Sequence, residues 1–188
     1  MKETVLRRKF TVEEYHRMHA AGILTEDDRV ELLEGEIFTM APISSRHAAC
    51  VNNLARIFQE KLGKKAIVSV QNPIRIEEHS EPQPDIVLLK PRPDFYFSQL
   101  PGPKDVLLLV EVEETSVSYD GDLKIPLYSR AGIPEVWLVD LESRTVTVFT
   151  DPAAQGYGEQ RVFRGKEILS SKVFPDLRLT AQEIFPFL

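Results

Sequence analysis

The chain has 188 residues, 43% hydrophobic and 28% charged, with a formal net charge of −6. That composition excludes a disordered chain and allows a substantial core. The acidic balance excludes a surface blanketed with phosphate contacts. The single cysteine, Cys50, excludes an internal disulfide and a cysteine-built zinc site, and no apolar run is long enough to span a bilayer.

One domain over residues 1–188 is expected. Residues 1–9 carry basic side chains with no apolar signal segment behind them, so a cytoplasmic address is expected. Phe10-Thr11-Val12-Glu13-Glu14-Tyr15 predicts a helix start, with Thr11 and Glu14 as a capping box and Phe10 stapled against Tyr15. Gly22 ends that helix. Strands at 29–33 and 36–40 flank a Glu34-Gly35 turn, and Pro42 closes the second. Ser44 or Ser45 caps the next helix, with His47 in its first turn. Ala48, Val51, Leu54, Ala55, Phe58 and Leu62 recur at helical spacing up to Gly63. Cys50 falls in the same pattern and reads as a buried thiol.

Strands are expected at 66–70 and 73–76, the second alternating apolar and charged residues so that one face is wet. A polar loop, 77–82, leads to Pro84-Asp85-Ile86-Val87-Leu88-Leu89, an apolar strand opened by an acid. Pro91, Pro93, Pro101 and Pro103 bracket a connection carrying Phe95, Tyr96 and Phe97, which reads as a lid, an interface or local packing. After the strand at 106–113, residues 115–120 lead into a helix through Leu123, Leu127 and Ala131 that Gly132 ends. Pro126 either begins its regular part or bends it. Strands follow at 135–140, 145–149 and 157–163, and Thr180-Ala181-Gln182-Glu183 is a second capping box opening a short helix. The order predicts an α/β domain with a mixed sheet. The basic groups Arg7-Arg8-Lys9 and Lys61, Lys64, Lys65 read as solvated surface that could touch phosphate.

The chemistry centres on Val106-Leu107-Leu108-Leu109-Val110-Glu111-Val112-Glu113, an apolar strand with acids where the pattern says core. A buried ionised carboxylate needs a metal, a cation or a proton. Asp85 repeats the arrangement on an earlier strand. Two hard oxygen ligands on adjacent strands suit magnesium, which takes one or two carboxylates plus waters and substrate phosphate oxygens. Lys124 could reach the same spot, where neighbouring acids keep it protonated, so that it acts as a cation rather than a base. The plainer alternatives are acids that cap loops or pair with arginine, and a Lys124 that pairs with Asp120 or Asp122. A lone histidine such as His47 is more often a packing residue than a ligand.

Taken in order, several stretches resemble the Uma2-type endonucleases of the PD-(D/E)XK nuclease superfamily. They are Arg29-Val30-Glu31-Leu32-Leu33-Glu34-Gly35-Glu36-Ile37, His47, Pro84-Asp85-Ile86-Val87, Val110-Glu111-Val112, Lys124-Ile125-Pro126-Leu127-Tyr128 and Ala131 through Asp140. The resemblance implies a restriction-endonuclease-like core, a mixed central sheet flanked by helices, with a site for magnesium, or manganese in its place. Asp85 matches the aspartate of the PD motif and Glu111 the acid of the second motif. The superfamily's usual lysine would fall at Glu113, so the chain departs from the pattern there, and Lys124 on the next helix stands in for it. Tyr128 resembles a tyrosine that recombination-type nucleases keep on that helix. Glu31 matches an acid of the family's early motif, as a further ligand or a group that orients one, and His47 matches the family's histidine. Glu113 is extra, a ligand to a second metal or a solvent-facing acid.

These expectations combine into a metal-dependent endonuclease acting on DNA. Asp85 and Glu111, with Glu113 as an additional metal candidate, hold the ion, and Lys124 positions water or offsets charge. A homo-oligomer is expected, because the family's core usually needs a partner to grip a duplex. Two alternatives stand beside this reading: a degenerate nuclease fold serving as a binding or scaffold module, and a carboxylate-pair hydrolase acting on sugars, which leaves Lys124 idle.

Overall fold

Local capping signals and apolar periodicity set the elements of this chain. The computed structural model describes residues 7–25, 27–114 and 120–186, with Asp120 by its backbone alone. The expectations made for residues 1–6 and for the lead-in at 115–119 lie outside the described residues. Helix α1 (Val12–Ala20) starts at the expected capping box: Thr11 Oγ1 accepts from Glu14 N–H at 3.2 Å, and Glu14 Oε2 accepts from Thr11 N–H at 3.1 Å. Phe10 packs against the cluster of Val12, Tyr15 and Leu32. Strands β1 (Val30–Leu33) and β2 (Glu36–Thr39) pair antiparallel around Glu34 and Gly35, both at positive φ. Gly35 is required there, since a Cβ would lie 2.7 Å from Lys9 Cβ.

Helix α2 (Ser45–Leu62) begins at Ser44, whose Oγ accepts from His47 N–H, and ends at Gly63. Its buried stripe, Cys50, Val51, Leu54, Ile57, Phe58 and Leu62, lies on one face of the central sheet. That sheet joins β3 (Ile67–Val70), β4 (Ile86–Leu89), β5 (Val106–Glu113), β6 (Glu135–Asp140), β7 (Thr145–Ala153) and β8 (Gly156–Arg164) in that order. Only β5 and β6 run parallel. Their crossover contains a π-helical turn, Asp120–Lys124, and helix α3 (Ile125–Arg130). Pro126 sits in the first turn of α3, so it begins the regular helix, where a missing N–H costs little.

Strand alternation divides β5 between two cores. Leu108, Val110 and Val112 pack under α2 with Phe58 and Trp137, whose rings lie 5.7 Å apart. Leu109 packs on the other face with Tyr128, Ile133, Ile74 and Ile76, and Glu111 and Glu113 share its side of the strand. Burying Trp137 or Tyr128 contributes roughly 2–3 kcal/mol each. The apolar surface therefore fixes which acids face α3.

The expected strand at 73–76 is not part of any sheet. Its burial alternates as predicted, with Ile74 and Ile76 inside and Arg75 outside. Its N–H groups, however, bond to Pro82 O, Pro101 O and Ser80 O in surrounding loops instead of to a partner strand. Beyond the expected elements, β9 (Ile168–Ser170) and β10 (Arg178–Thr180) form a two-stranded sheet, followed by α4 (Ala181–Ile184) on the Thr180–Glu183 capping box. Among the described residues no helix is long and apolar enough to cross a membrane. The basic groups lie on the surface, where Arg7 and Lys9 pair with Glu36, Arg8 with Glu14 and Lys65 with Asp176.

Candidate active site

Asp85 directly precedes β4, and Glu111 lies near the end of β5. The antiparallel register Ile86↔Val110 makes the two acids neighbours. Asp85 N–H donates to Glu111 Oε2 at 3.3 Å, and Val112 N–H donates to Asp85 Oδ2 at 2.9 Å. His47 reaches the same Asp85 oxygen from the first turn of α2, its Nε2 at 3.0 Å. Asp85 is thus gripped by backbone and imidazole together.

Lys124 arrives from the π-helical turn and is 4% exposed. Its ammonium lies 3.1 Å from Glu31 Oε1 on β1 and 3.4 Å from Glu111 Oε1 on β5. Both acids are almost wholly buried. Tyr128, one turn along α3, donates its hydroxyl to Glu111 Oε1 at 2.6 Å. Glu31 Oε2 accepts from Gln83 N–H at 3.0 Å. Glu31, His47, Asp85, Glu111 and Lys124 therefore converge in one place. Glu113 is half-buried on the same side of the strand, and its Oε1 accepts from Gly121 N–H at 3.1 Å, tying the end of β5 to the π-helical turn.

The charge is unbalanced. Among the described residues, the carboxylates of Glu31 and Glu111 meet the Lys124 ammonium, Asp85 lies beside them, and the acids lining the cavity outnumber its cations, Arg29 and Lys124. In front lies a cavity of about 450 Å³, lined by Glu31, His47, Asp85, Glu111, Glu113 and Lys124 among others. The donors are hard oxygens, and each carboxylate oxygen has more than one lone-pair direction. That set fits magnesium or manganese, which need only one or two carboxylates and keep several waters. Among the described residues no group of three or more His, Cys, Asp or Glu side chains is placed to hold a metal ion by itself, so a cation here would draw on one or two carboxylates and on water.

The charge is also felt behind the site. Burial, and then the negative charge of Asp85, push the Cys50 thiol up to about 12. Cys50 is 5% exposed and behaves as a packing residue, as expected.

Two glutamines complete the cluster and were not singled out from the sequence. Gln71, immediately after β3, donates Nε2–H to Asp85 Oδ1 at 3.2 Å. Gln83 bonds Glu31 through its backbone, and its amide donates to Gln71 O. The available signals were slight: a polar residue ending an apolar strand, and a lone polar side chain in Pro82-Gln83-Pro84-Asp85.

The Uma2 family model, described as "Putative restriction endonuclease", matches residues 12–182. Four chains of solved structures also match. One, from Anabaena variabilis ATCC 29413 and described as "a putative nuclease belonging to DUF820", has a TM-score of 0.74 at 17% sequence identity, covering 94% of this chain and 98% of that one. At that identity the likeness establishes the fold, and it bears out the expected mixed sheet flanked by helices. No curated protein matches the chain.

Proposed function

The chain belongs to the Uma2 family, and from that premise we propose that it is a magnesium-dependent endonuclease hydrolysing phosphodiester bonds in DNA. The observation that carries this reading is the meeting of Asp85, Glu111 and Lys124 at one cavity where, among the described residues, acids outnumber cations. Such an excess is costly in a buried setting and is relieved by a divalent cation.

Asp85 and Glu111 would hold the ion, with Glu113 as an additional acid beside them. A bound magnesium ion supplies a more acidic water and neutralises charge on a phosphate oxygen. The chain's own groups do the rest. His47 and the Val112 N–H hold Asp85, while Tyr128 and Lys124 hold Glu111. Glu31 keeps the Lys124 ammonium aimed between the two sides of the cluster. There Lys124 donates hydrogen bonds to the charge that builds on the phosphoryl oxygens, or to the attacking water. In hydrolysis the water oxygen bonds to phosphorus, one bridging P–O bond breaks, and a proton passes from the water as the leaving oxygen gains one. Lys124 acts as a fixed cation in this scheme, since two acids hold its proton.

Gripping a duplex is assigned to a homo-oligomer. Phe95 and Phe97, 74% and 95% exposed beside the anchored Tyr96, offer apolar surface for it. A cytoplasmic setting belongs to the same proposal. The test is cleavage of plasmid and linear DNA with magnesium, manganese or neither. Lys124→Ala and Asp85→Ala should each lower cleavage by roughly 100-fold or more. A degenerate scaffold has one observation in its favour: each oxygen of Asp85 and Glu111 already holds a protein donor. It predicts no cleavage and no ion uptake by the unmodified protein. A glycosidase would be indifferent to Lys124→Ala.

A further inference from the structure

We infer that Gln71 is a positioning residue for Asp85, and that Gln83 locks it there. The inference rests on the metal-site reading of Asp85 and extends it to a residue outside the acid cluster.

Three observations carry it. Gln71 sits at φ +50°, in the left-handed region where glycine is the ordinary choice, yet it has a long amide side chain. Strain of this kind persists where surrounding structure enforces it, and it gathers at functional sites. Second, the residue grips Asp85 at two points. Gln71 N–H donates to the Asp85 carbonyl at 3.0 Å, and Gln71 Nε2–H donates to Asp85 Oδ1 at 3.2 Å. Third, Gln71 is itself held, because the Gln83 amide donates to the Gln71 carbonyl. The Gln83 N–H bonds Glu31, the acid that holds Lys124. Gln71 and Gln83 thus link the Asp85 half of the cluster to the Lys124 half through uncharged donors.

The amide is suited to the task. A lysine or arginine at residue 71 would also orient Asp85, but its charge would compete with a divalent cation for the same carboxylate. A glutamate would add one more acid to the cavity. A neutral donor fixes the Oδ1 direction and leaves the negative charge of Asp85 undiminished. Since Gln71 lines the same cavity, the contact faces the place where an ion would sit.

Gln71→Gly separates positioning from folding. Glycine accepts the left-handed backbone, so Tm should hold or rise, while the amide is gone. Magnesium affinity measured by calorimetry should fall about 10- to 100-fold, as when groups that orient metal ligands are removed. In the DNA assay kcat should fall in the same range with KM for DNA little changed, and Gln71→Asn should recover part of the loss. Unchanged affinity and kcat in Gln71→Gly would overturn the inference, as would a Tm that drops in step with them. A second readout needs neither ion nor substrate. In the magnesium-free protein the Gln71 side-chain amide protons should exchange slowly and shift on Asp85→Asn. Fast exchange with no shift overturns the positioning role by itself. If the unmodified protein takes up no magnesium, the metal reading fails, and this amide measurement still decides whether Gln71 orients Asp85.

Discussion

Two glutamates lie on adjacent parallel strands, both removed from solvent, and their surroundings differ completely. Glu135, at the start of β6, is met by the Trp137 indole N–H at 2.7 Å, the Ser171 hydroxyl at 3.0 Å and the backbone N–H groups of Lys172 and Val173 at 2.8 and 3.2 Å. These donors anchor the segment that follows β9. Glu111, near the end of β5, shares its space with Asp85, Glu31 and Lys124 and faces a cavity. Burial alone therefore says little about chemistry. A carboxylate enclosed by neutral donors serves as a fastening, whereas one crowded by other acids at an opening is the one proposed to meet a cation.

The comparison predicts opposite outcomes for similar substitutions. Glu135→Ala removes the acceptor of the buried Trp137 indole N–H and of the Lys172 N–H, while Val173 N–H keeps Ser171 Oγ. It should cost on the order of 3–5 kcal/mol in urea unfolding, with cleavage by the folded fraction unaffected. Lys124→Ala leaves Glu31 and Glu111 facing each other without their cation, and should cost about 3 kcal/mol without magnesium. Added magnesium should restore part of that loss, giving a larger rise in Tm than in the unmodified protein. Glu111→Gln keeps the shape and removes one negative charge. Stability should change by less than about 1 kcal/mol, in either direction, while ion binding and cleavage are lost. Equal stability losses in Glu135→Ala and Glu111→Gln would erase the distinction.

The smallest effect is a change in thiol reactivity. With the Cys50 thiol titrating near 12, iodoacetamide should label the folded protein negligibly at pH 8. Part of that elevation comes from the charge of Asp85, so Asp85→Asn should speed labelling in alkaline solution. The linkage has a definite sign. The folded state retains a proton that the unfolded chain releases near pH 9, so the thiol's contribution is complete below pH 9 and is lost as pH rises toward 12. Tyr15, pushed to about 12 by burial and then by the charges of Glu81 and Glu31, erodes stability in the same direction above pH 10. Thermal melts between pH 8 and 11 check both.

Most of the sheet was legible because its signals are local. Continuous apolar runs marked β4 and β5, helical spacing marked α2, and capping boxes marked α1 and α4. The stretch 73–76 misled because Ile74 and Ile76 alternate as in a strand while their backbone partners are loop carbonyls. The pair β9 and β10 was missed because three residues carry too little periodicity. For the candidate site, acids inside apolar strands drew attention to Asp85 and Glu111, and the ordered motifs added Glu31, His47 and Lys124. Glu135 had the same sequence signal as Glu111, an acid beside Val136 and Trp137, and only its donors separate the two. Gln71 left almost no mark, since its role depends on a backbone angle and on Asp85, 14 residues away.

Asp85 and Glu111 are proposed to hold a divalent cation between them. Crystals soaked in manganese test it through anomalous scattering. The account predicts one peak bounded by the carboxylates of Asp85 and Glu111, absent in Asp85→Ala. A saturating soak with no peak there, or a peak that survives Asp85→Ala, would contradict it.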